Sequence, residues 1–368
     1  MNNSDIKKVY VSGNSQERGY QYGVQCRELI GKSIDTYFRL ASEQRRGVSM
    51  DQLRSEFVPL LESIKKYDKK YYLEIQAIAQ GSGFQLNDIG IINCRAEIIN
   101  PIWKYAKHSE GCTSFYIGKT RTCNQHAYLG QTWDWSGICE NLLVMVHSKD
   151  EGGHQFFSIT EAGSMAKIGV NNKGIANLLN YLHNIDGNAS GTPYNILLHR
   201  IIDSEDFVDA QRNIMRSPIA YGLNTFIADR FGSVVDYELT PNGIDFFHPQ
   251  DDLLIHTNHY ISEKLLIRTY RKDILKNSYA RYQTASEVLG CGLLSHIDIL
   301  SFFSQHDTVV PERSICRHSD IEIETRTLFC ILVDLTEFSF YYCIGNPCQH
   351  SFQRVNLMQL FESDVSIL

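Results

Sequence analysis

The chain divides by the period of its apolar positions. Over about the first hundred residues they recur at helical spacing, as at Tyr20, Val24, Leu29, Ile34 and Phe38. Asn14, with Glu17 three residues on, reads as a capping box opening a helix over 16–46, a stretch without proline. Further helices are expected over 51–64 and 67–79, the latter stopped by Gly81-Ser82-Gly83. Asn87 reads as the cap of a fourth over 87–99, ended by Pro101. The polar piece 104–111 then reads as an exposed connector.

From Cys112 the pattern changes to short segments rich in β-branched and aromatic residues. Strands are expected over 113–117, 127–131, 142–147, 155–160 and 175–179. Helices return over 195–202 and 204–215. Segments 224–228 and 234–239 flank Asp229-Arg230-Phe231-Gly232, a hairpin signal. Helix is expected again over 265–289 and 297–305, and two strands, 327–334 and 339–344, complete the core. Helices grouped between runs of strands predict an α+β fold, and no repeat or linker divides residues 1–368, so one domain is expected.

Composition narrows the function. With 368 residues, 43% of them hydrophobic, the chain can bury a large core, which excludes disorder. A net charge of −7 argues against nucleic acid as the partner. No apolar run approaches the roughly 18–20 residues that span a bilayer. The amino terminus lacks a secretory apolar segment, so a cytoplasmic protein is expected. Ten cysteines without a C-x-x-C predict mostly buried thiols rather than a disulfide or zinc framework, with one of them a candidate nucleophile.

The motifs of phosphate, dinucleotide and zinc-protease sites are absent, and no metal or cofactor is expected. His256 and His259 are three apart, and in a strand they point to opposite faces, which argues against a shared metal. The sharper signal is Glu110-Gly111-Cys112-Thr113-Ser114, where the helical part yields to the strand-rich part. Were the Gly111–Cys112 bond broken, Cys112 would carry its thiol beside its own α-amine. The reference pKa of that amine, roughly 7.7–8.0, suits a general base near neutrality. Asp134 follows between Trp133 and Trp135 in Gly130-Gln131-Thr132-Trp133-Asp134-Trp135, suggesting an acid at a strand end in an aromatic-walled cleft. Gly169-Val170-Asn171-Asn172-Lys173-Gly174 and the strand ending near Glu238 come next. Asn258 in His256-Thr257-Asn258-His259 is able to donate to an oxyanion. Arg317 lies in Ile315-Cys316-Arg317-His318.

In this order and at these spacings, from Glu17-Arg18-Gly19 to Gly345-Asn346-Pro347, the motifs resemble the acyl-coenzyme A:6-aminopenicillanic acid acyltransferase family of self-processing, amino-terminal-nucleophile hydrolases. The resemblance implies a four-layer αββα fold and self-cleavage between Gly111 and Cys112. The fragments, 1–111 and 112–368, would stay together. It makes Cys112 the nucleophile through a thioester and gives Asp134 the new α-amine to hold. Asn258 becomes an oxyanion donor and Arg317 an electrostatic support, a role for which neighbouring Arg326 is the rival. Ser114, Trp133 and Trp135 are candidate substrate contacts.

The implied substrate is a small amide, peptide or acyl thioester. Capture of the acyl group by water makes a hydrolase, the favoured expectation, and capture by an amine an acyltransferase. The alternatives are an acyl-CoA-dependent N-acyltransferase of the penicillin type and an unprocessed, non-catalytic binding member. The ending Ser366-Ile367-Leu368 lacks the basic middle residue of a peroxisomal tripeptide, so such import is not expected.

Overall fold

A computed structural model describes residues 6–363 apart from 46, 96, 98–110, 186, 267–274, 320, 322 and 323. Four helices come early: α1 (Ser15–Gln44), α2 (Met50–Tyr67), α3 (Lys69–Ser82) and α4 (Leu86–Asn93). The expected capping box is present, with Asn14 Oδ1 accepting from Glu17 N and Glu17 Oε2 accepting from Asn14 N. Ser49 caps α2, which runs through Pro59. Gly83 closes α3 at φ 75°, a left-handed turn that a side chain would strain. The fourth helix begins at Leu86 with Gln85 as its cap rather than Asn87, and its expected end near 99 falls outside the described residues. So does the connector except for Gly111, which is buried and opens a strand instead of closing an exposed loop.

Fourteen strands are described: β1 (Lys7–Ser12), β2 (Gly111–Ile117), β3 (Tyr128–Ser136), β4 (Leu143–Lys149), β5 (Gln155–Glu161), β6 (Ile168–Asn171), β7 (Ile175–Tyr181), β8 (Leu223–Asp229), β9 (Val234–Thr240), β10 (Gly243–Phe247), β11 (Leu253–His256), β12 (Thr325–Asp334), β13 (Ser339–Ile344) and β14 (Gln353–Asn356). They form an eight-stranded sheet, β1-β4-β5-β6-β7-β8-β9-β10, and a six-stranded sheet, β11-β2-β3-β12-β13-β14. All described pairings are antiparallel except β1 with β4. The remaining helices are α5 (Tyr194–Ile202), α6 (Phe207–Arg216), α7 (Lys276–Leu289), α8 (His296–Phe303) and α9 (Leu357–Glu362), with a single turn at Glu263–Leu266. Between that turn and α7, the expected helix over 265–289 falls on residues outside the description.

The two sheets face each other, and helices cover them. Strand β2 packs on β7, α5 and α6 pack against β6, β7 and β8, and α1 lies along β1 with α3 and α4 against it. On the far side, α7 and α8 bury Ala285, Leu289, Phe302 and Phe303 against Phe115, Ile117 and Leu332. Phe115 meets Phe302 edge to face at 5.4 Å, the arrangement the ring quadrupoles favour. The result is the expected α+β helix–sheet–sheet–helix layering. Gln131 pins the sheets together: its side-chain amide donates to the Leu179 carbonyl, and its carbonyl accepts from Leu179 N at 3.1 Å. Satisfying both amide groups in the apolar layer fixes how β3 sits on β7.

Candidate active site

Strand β2 begins with Gly111 and Cys112, and β3 sets Asp134 opposite Gly111 and Trp133 opposite Cys112. Residues opposite each other share a face and successive residues alternate. Cys112, Ser114, Trp133 and Trp135 therefore face the other sheet, while Gly111, Thr113 and Asp134 face α7. The expected aromatic walls around Asp134 are thus corrected: strand alternation turns both tryptophans to the opposite side. There Trp133 lies under Lys167 Nζ at 4.1 Å and Trp135 near the Arg95 guanidinium at 5.1 Å. Ser114 Oγ is buried on the Cys112 face and has no hydrogen-bond partner among the described residues.

The backbone of Cys112 is held at both ends. Its N–H donates to Asn258 Oδ1 at 2.8 Å, and its carbonyl accepts from Arg281 Nη1 at 2.5 Å. The same guanidinium donates to Thr113 Oγ1 at 2.8 Å and, through Nη2, to Asn258 Oδ1 at 2.7 Å. Arg281 is 1% exposed. Burial draws its pKa down to about 10, with Asp134 pulling the other way. Asn258 Nδ2 donates to the Tyr181 carbonyl at the end of β7, at 3.0 Å. An amide nitrogen carries two hydrogens, so a second donor remains for an incoming oxygen.

The loop carrying Asn258 is fastened from below. Glu238 on β9 accepts from His256 Nε2 at 2.8 Å, Ile261 N at 2.5 Å and Ser262 N at 3.0 Å. Ser278 Oγ on α7 accepts from Asn258 N at 2.7 Å. Burial works against a His256 imidazolium, but Asp236 and Glu238 outweigh it and hold that pKa above the usual value. His259, pressed by burial and by His256, is pushed down to about 3 and stays neutral. His259 lies beyond the end of β11, and its ring stacks 6.5 Å from that of His256, so strand alternation does not separate the two as expected.

Asp134 is fully buried, and burial raises its carboxyl pKa, partly offset by Arg317, then Arg281, then a hydrogen bond from Thr327. That bond runs from Thr327 Oγ1 to Asp134 Oδ1 at 2.7 Å, and the same hydroxyl accepts from Arg317 N at 2.9 Å. Asp134 Oδ2 and Arg317 Nη1 are both buried without a hydrogen-bond partner among the described residues. Both flank Gly111, where an added Cβ would lie 2.3 Å from Arg317 Nη1 and 3.0 Å from Asp134 Oδ2. Only glycine fits. Arg326, the rival candidate, turns away to pair with Glu140.

The structure thus gathers Gly111, Cys112, Asp134, Asn258 and Arg317 around one peptide bond. Arg281 is the residue the sequence reading missed; it stands in α7, outside every motif, where an arginine reads as an ordinary surface charge. Asn171, in the Gly169–Gly174 motif, serves a turn instead, its Oδ1 accepting from Lys173 N and Ile175 N.

Among the described residues no helix is long and apolar enough to cross a membrane. Chemically, the arrangement offers a thiol at a glycyl bond, donors on either side of it and a buried carboxyl with one oxygen unpartnered among the described residues.

A relative, the acyl-coenzyme A:6-aminopenicillanic-acid-acyltransferase 40 kDa form of Emericella nidulans, is 28% identical over 209 residues, 56% of each chain. The chain thus spans about half the length of this curated relative. Among solved structures, penicillin V acylase from Agrobacterium tumefaciens aligns with a TM-score of 0.44 at 12% identity, covering 69% of this chain and 89% of that one. A mutant conjugated bile acid hydrolase from Clostridium perfringens aligns with a TM-score of 0.39 at 11% identity, covering 66% of this chain and 96% of its own. Residues 120–349, which take in Asp134, Asn258, Arg281 and Arg317, match the family described as acyl-coenzyme A:6-aminopenicillanic acid acyl-transferase, and the chain belongs to that family.

Proposed function

We propose that this chain is an amidohydrolase or acyltransferase that activates itself by cutting between Gly111 and Cys112. The observation that carries the reading is the confinement of that one peptide bond. Asn258 holds the Cys112 nitrogen at 2.8 Å, Arg281 the Cys112 carbonyl at 2.5 Å, and Arg317 and Asp134 close on Gly111. In processing, the Cys112 thiolate attacks the Gly111 carbonyl carbon, and the bond to nitrogen breaks as that nitrogen takes a proton. Water then hydrolyses the resulting thioester, leaving Cys112 with a free α-amine.

In turnover that amine accepts the thiol proton, and the thiolate attacks an acyl carbonyl. Asn258, through its remaining N–H, stabilises the oxyanion. The leaving group departs protonated, and water or an amine takes the acyl group from sulfur. Asp134 and Arg317 orient the new terminus, while Asn258 Oδ1 already lies where that amine forms. Ser114 and Trp133, on the thiol's face, are the proposed substrate contacts, with Trp135 behind them. The substrate is a small amide, peptide or acyl thioester; no cofactor takes part in the acyl chemistry, and the two fragments remain one unit. Hydrolysis is favoured because water is always at hand. All ten cysteines are thiols, which suits the cytoplasm.

Intact-mass measurement of the wild type beside Cys112→Ala tests this. Two wild-type fragments meeting at Gly111/Cys112, with the variant uncut and inactive, are expected; a cut or active variant overturns the proposal. Supplying an acyl thioester with and without an amine, and looking for new amide, separates transferase from hydrolase.

A further inference from the structure

On the surface behind Arg317, four side chains from three separate segments converge. His306 follows α8, Cys316 and His318 flank Arg317, and Cys348 stands in the turn after β13. One nitrogen from each histidine and both sulfurs lie within 4.8 Å of one another. The Nε2 atoms of His306 and His318 are 3.0 Å apart, and the sulfurs of Cys316 and Cys348 are 3.7 Å apart. His318 Nε2 lies 3.5 Å from Cys316 Sγ and 3.3 Å from Cys348 Sγ.

Those separations are close to the edges of a metal tetrahedron. Zinc at about 2.3 Å from sulfur and 2.0–2.1 Å from nitrogen sets tetrahedral edges of about 3.8 Å between sulfurs, 3.5 Å between sulfur and nitrogen, and 3.3 Å between nitrogens. We propose that His306, Cys316, His318 and Cys348 form a structural zinc site. Two thiolates and two imidazoles favour zinc over the hard, oxygen-seeking cations. Binding releases one proton from each cysteine, so the site as a whole becomes neutral.

An outer shell is also in place. Asn346 Nδ2 donates to Cys316 Sγ at 3.3 Å and to the Arg317 carbonyl at 2.7 Å. A cavity of about 440 Å³, lined in part by His306, Cys316 and His318, gives the ion a way in. Arg317 stands between two of the ligands, so the ion would clamp the segment that aims its guanidinium at Gly111 and Asp134. The metal is structural, with all four positions taken by protein, and the inference stands whether or not Cys112 is a nucleophile.

The test is metal content and a spectroscopic signature, neither of which depends on activity. Full-length protein purified under reducing conditions with zinc chloride and then desalted should retain one zinc per chain by mass spectrometry of the elements. Cobalt(II) chloride added to the metal-stripped chain should give the intense visible bands of a tetrahedral thiolate complex, displaced by zinc. Cys348→Ser and His306→Gln should each lower zinc occupancy at least tenfold at limiting zinc, with unchanged circular dichroism. Should either variant fail to fold, the cobalt titration of the wild type decides. No bound zinc and no thiolate–cobalt band in the folded wild type, full occupancy in folded variants, or a Cys316–Cys348 disulfide in the reduced preparation would each overturn the proposal.

Discussion

Two buried charge clusters lie on opposite faces of the same strand, and they are built differently. On the inner face of β3, beside Trp133 and Trp135, Glu161 has both carboxylate oxygens engaged, one by the Tyr37 hydroxyl and the other by Lys167 and by Arg95 at 3.3 Å. On the outer face, Asp134 has one oxygen on Thr327 and the other without a hydrogen-bond partner among the described residues, beside Gly111. Burial raises both carboxyl pKa values, Glu161 with Lys167 pulling back and Asp134 with Arg317 pulling back. A saturated buried carboxylate is a fastening. A buried carboxylate with one oxygen unpartnered among the described residues, facing a peptide bond, carries a desolvation cost and is a candidate for chemistry.

Substitutions on the two faces should therefore fail in different ways. Asp134→Asn keeps the bond from Thr327 and should leave stability within about 1 kcal/mol while cutting processing and turnover by about 10²–10⁴, as for loss of a positioned acid–base group. Equal loss of stability and rate would erase the contrast. Glu161→Gln leaves buried Lys167 short of its counter-charge and should cost about 3–5 kcal/mol in urea unfolding, with a smaller loss of turnover per folded molecule than Asp134→Asn, since Lys167 reaches the thiol's face only through Trp133. A rate defect in folded Glu161→Gln as large as that of Asp134→Asn would erase the contrast.

Gly111→Ala places a methyl against Arg317 and shifts the scissile bond, so self-cleavage followed by gel or mass should slow by about a hundredfold. The smallest effect is a pH slope from beneath the Asn258 loop. Burial pushes Asp236 up to about 7, with His256 pulling it down. The folded chain then keeps a proton that the unfolded one has lost, so this contribution is full below about pH 4 and vanishes as pH rises toward 7. Asp236→Asn lacks the slope; its urea midpoint relative to the wild type should climb across that window, and a constant difference would refute it.

The candidate site was half legible. Gly111, Cys112, Asp134, Asn258 and Arg317 announce themselves because glycine, thiol, acid and amide sit in short, unusual strings. Arg281 does not, since one arginine on a helix of mixed composition looks like any solvated charge until α7 is laid on β2. The tryptophans misled for a related reason: adjacency in sequence suggests adjacency in space, whereas a strand sends neighbours to opposite sides. Cys316 and His318 were in view as part of the Arg317 motif, but His306 and Cys348 lie in separate segments. No spacing rule could join the four.

Local chemistry sufficed for what is local. The capping box at Asn14 and Glu17, the left-handed stop at Gly83 and the apolar periods are decided within a few residues, so the amino-acid sequence determined most helices, most central strands and the layered fold class. Strand β1, pairing in parallel with β4 across more than a hundred residues, has no partner to be read beside it. The placement of Arg317 rather than Arg326 beside Gly111 and Asp134, the grip of Arg281 on Cys112 and the convergence of two histidines and two cysteines were decided by tertiary structure alone. Each is a contact between groups distant along the chain, chosen by which burial and hydrogen bonds can be satisfied together, and that balance exists only once the sheets and helices have packed.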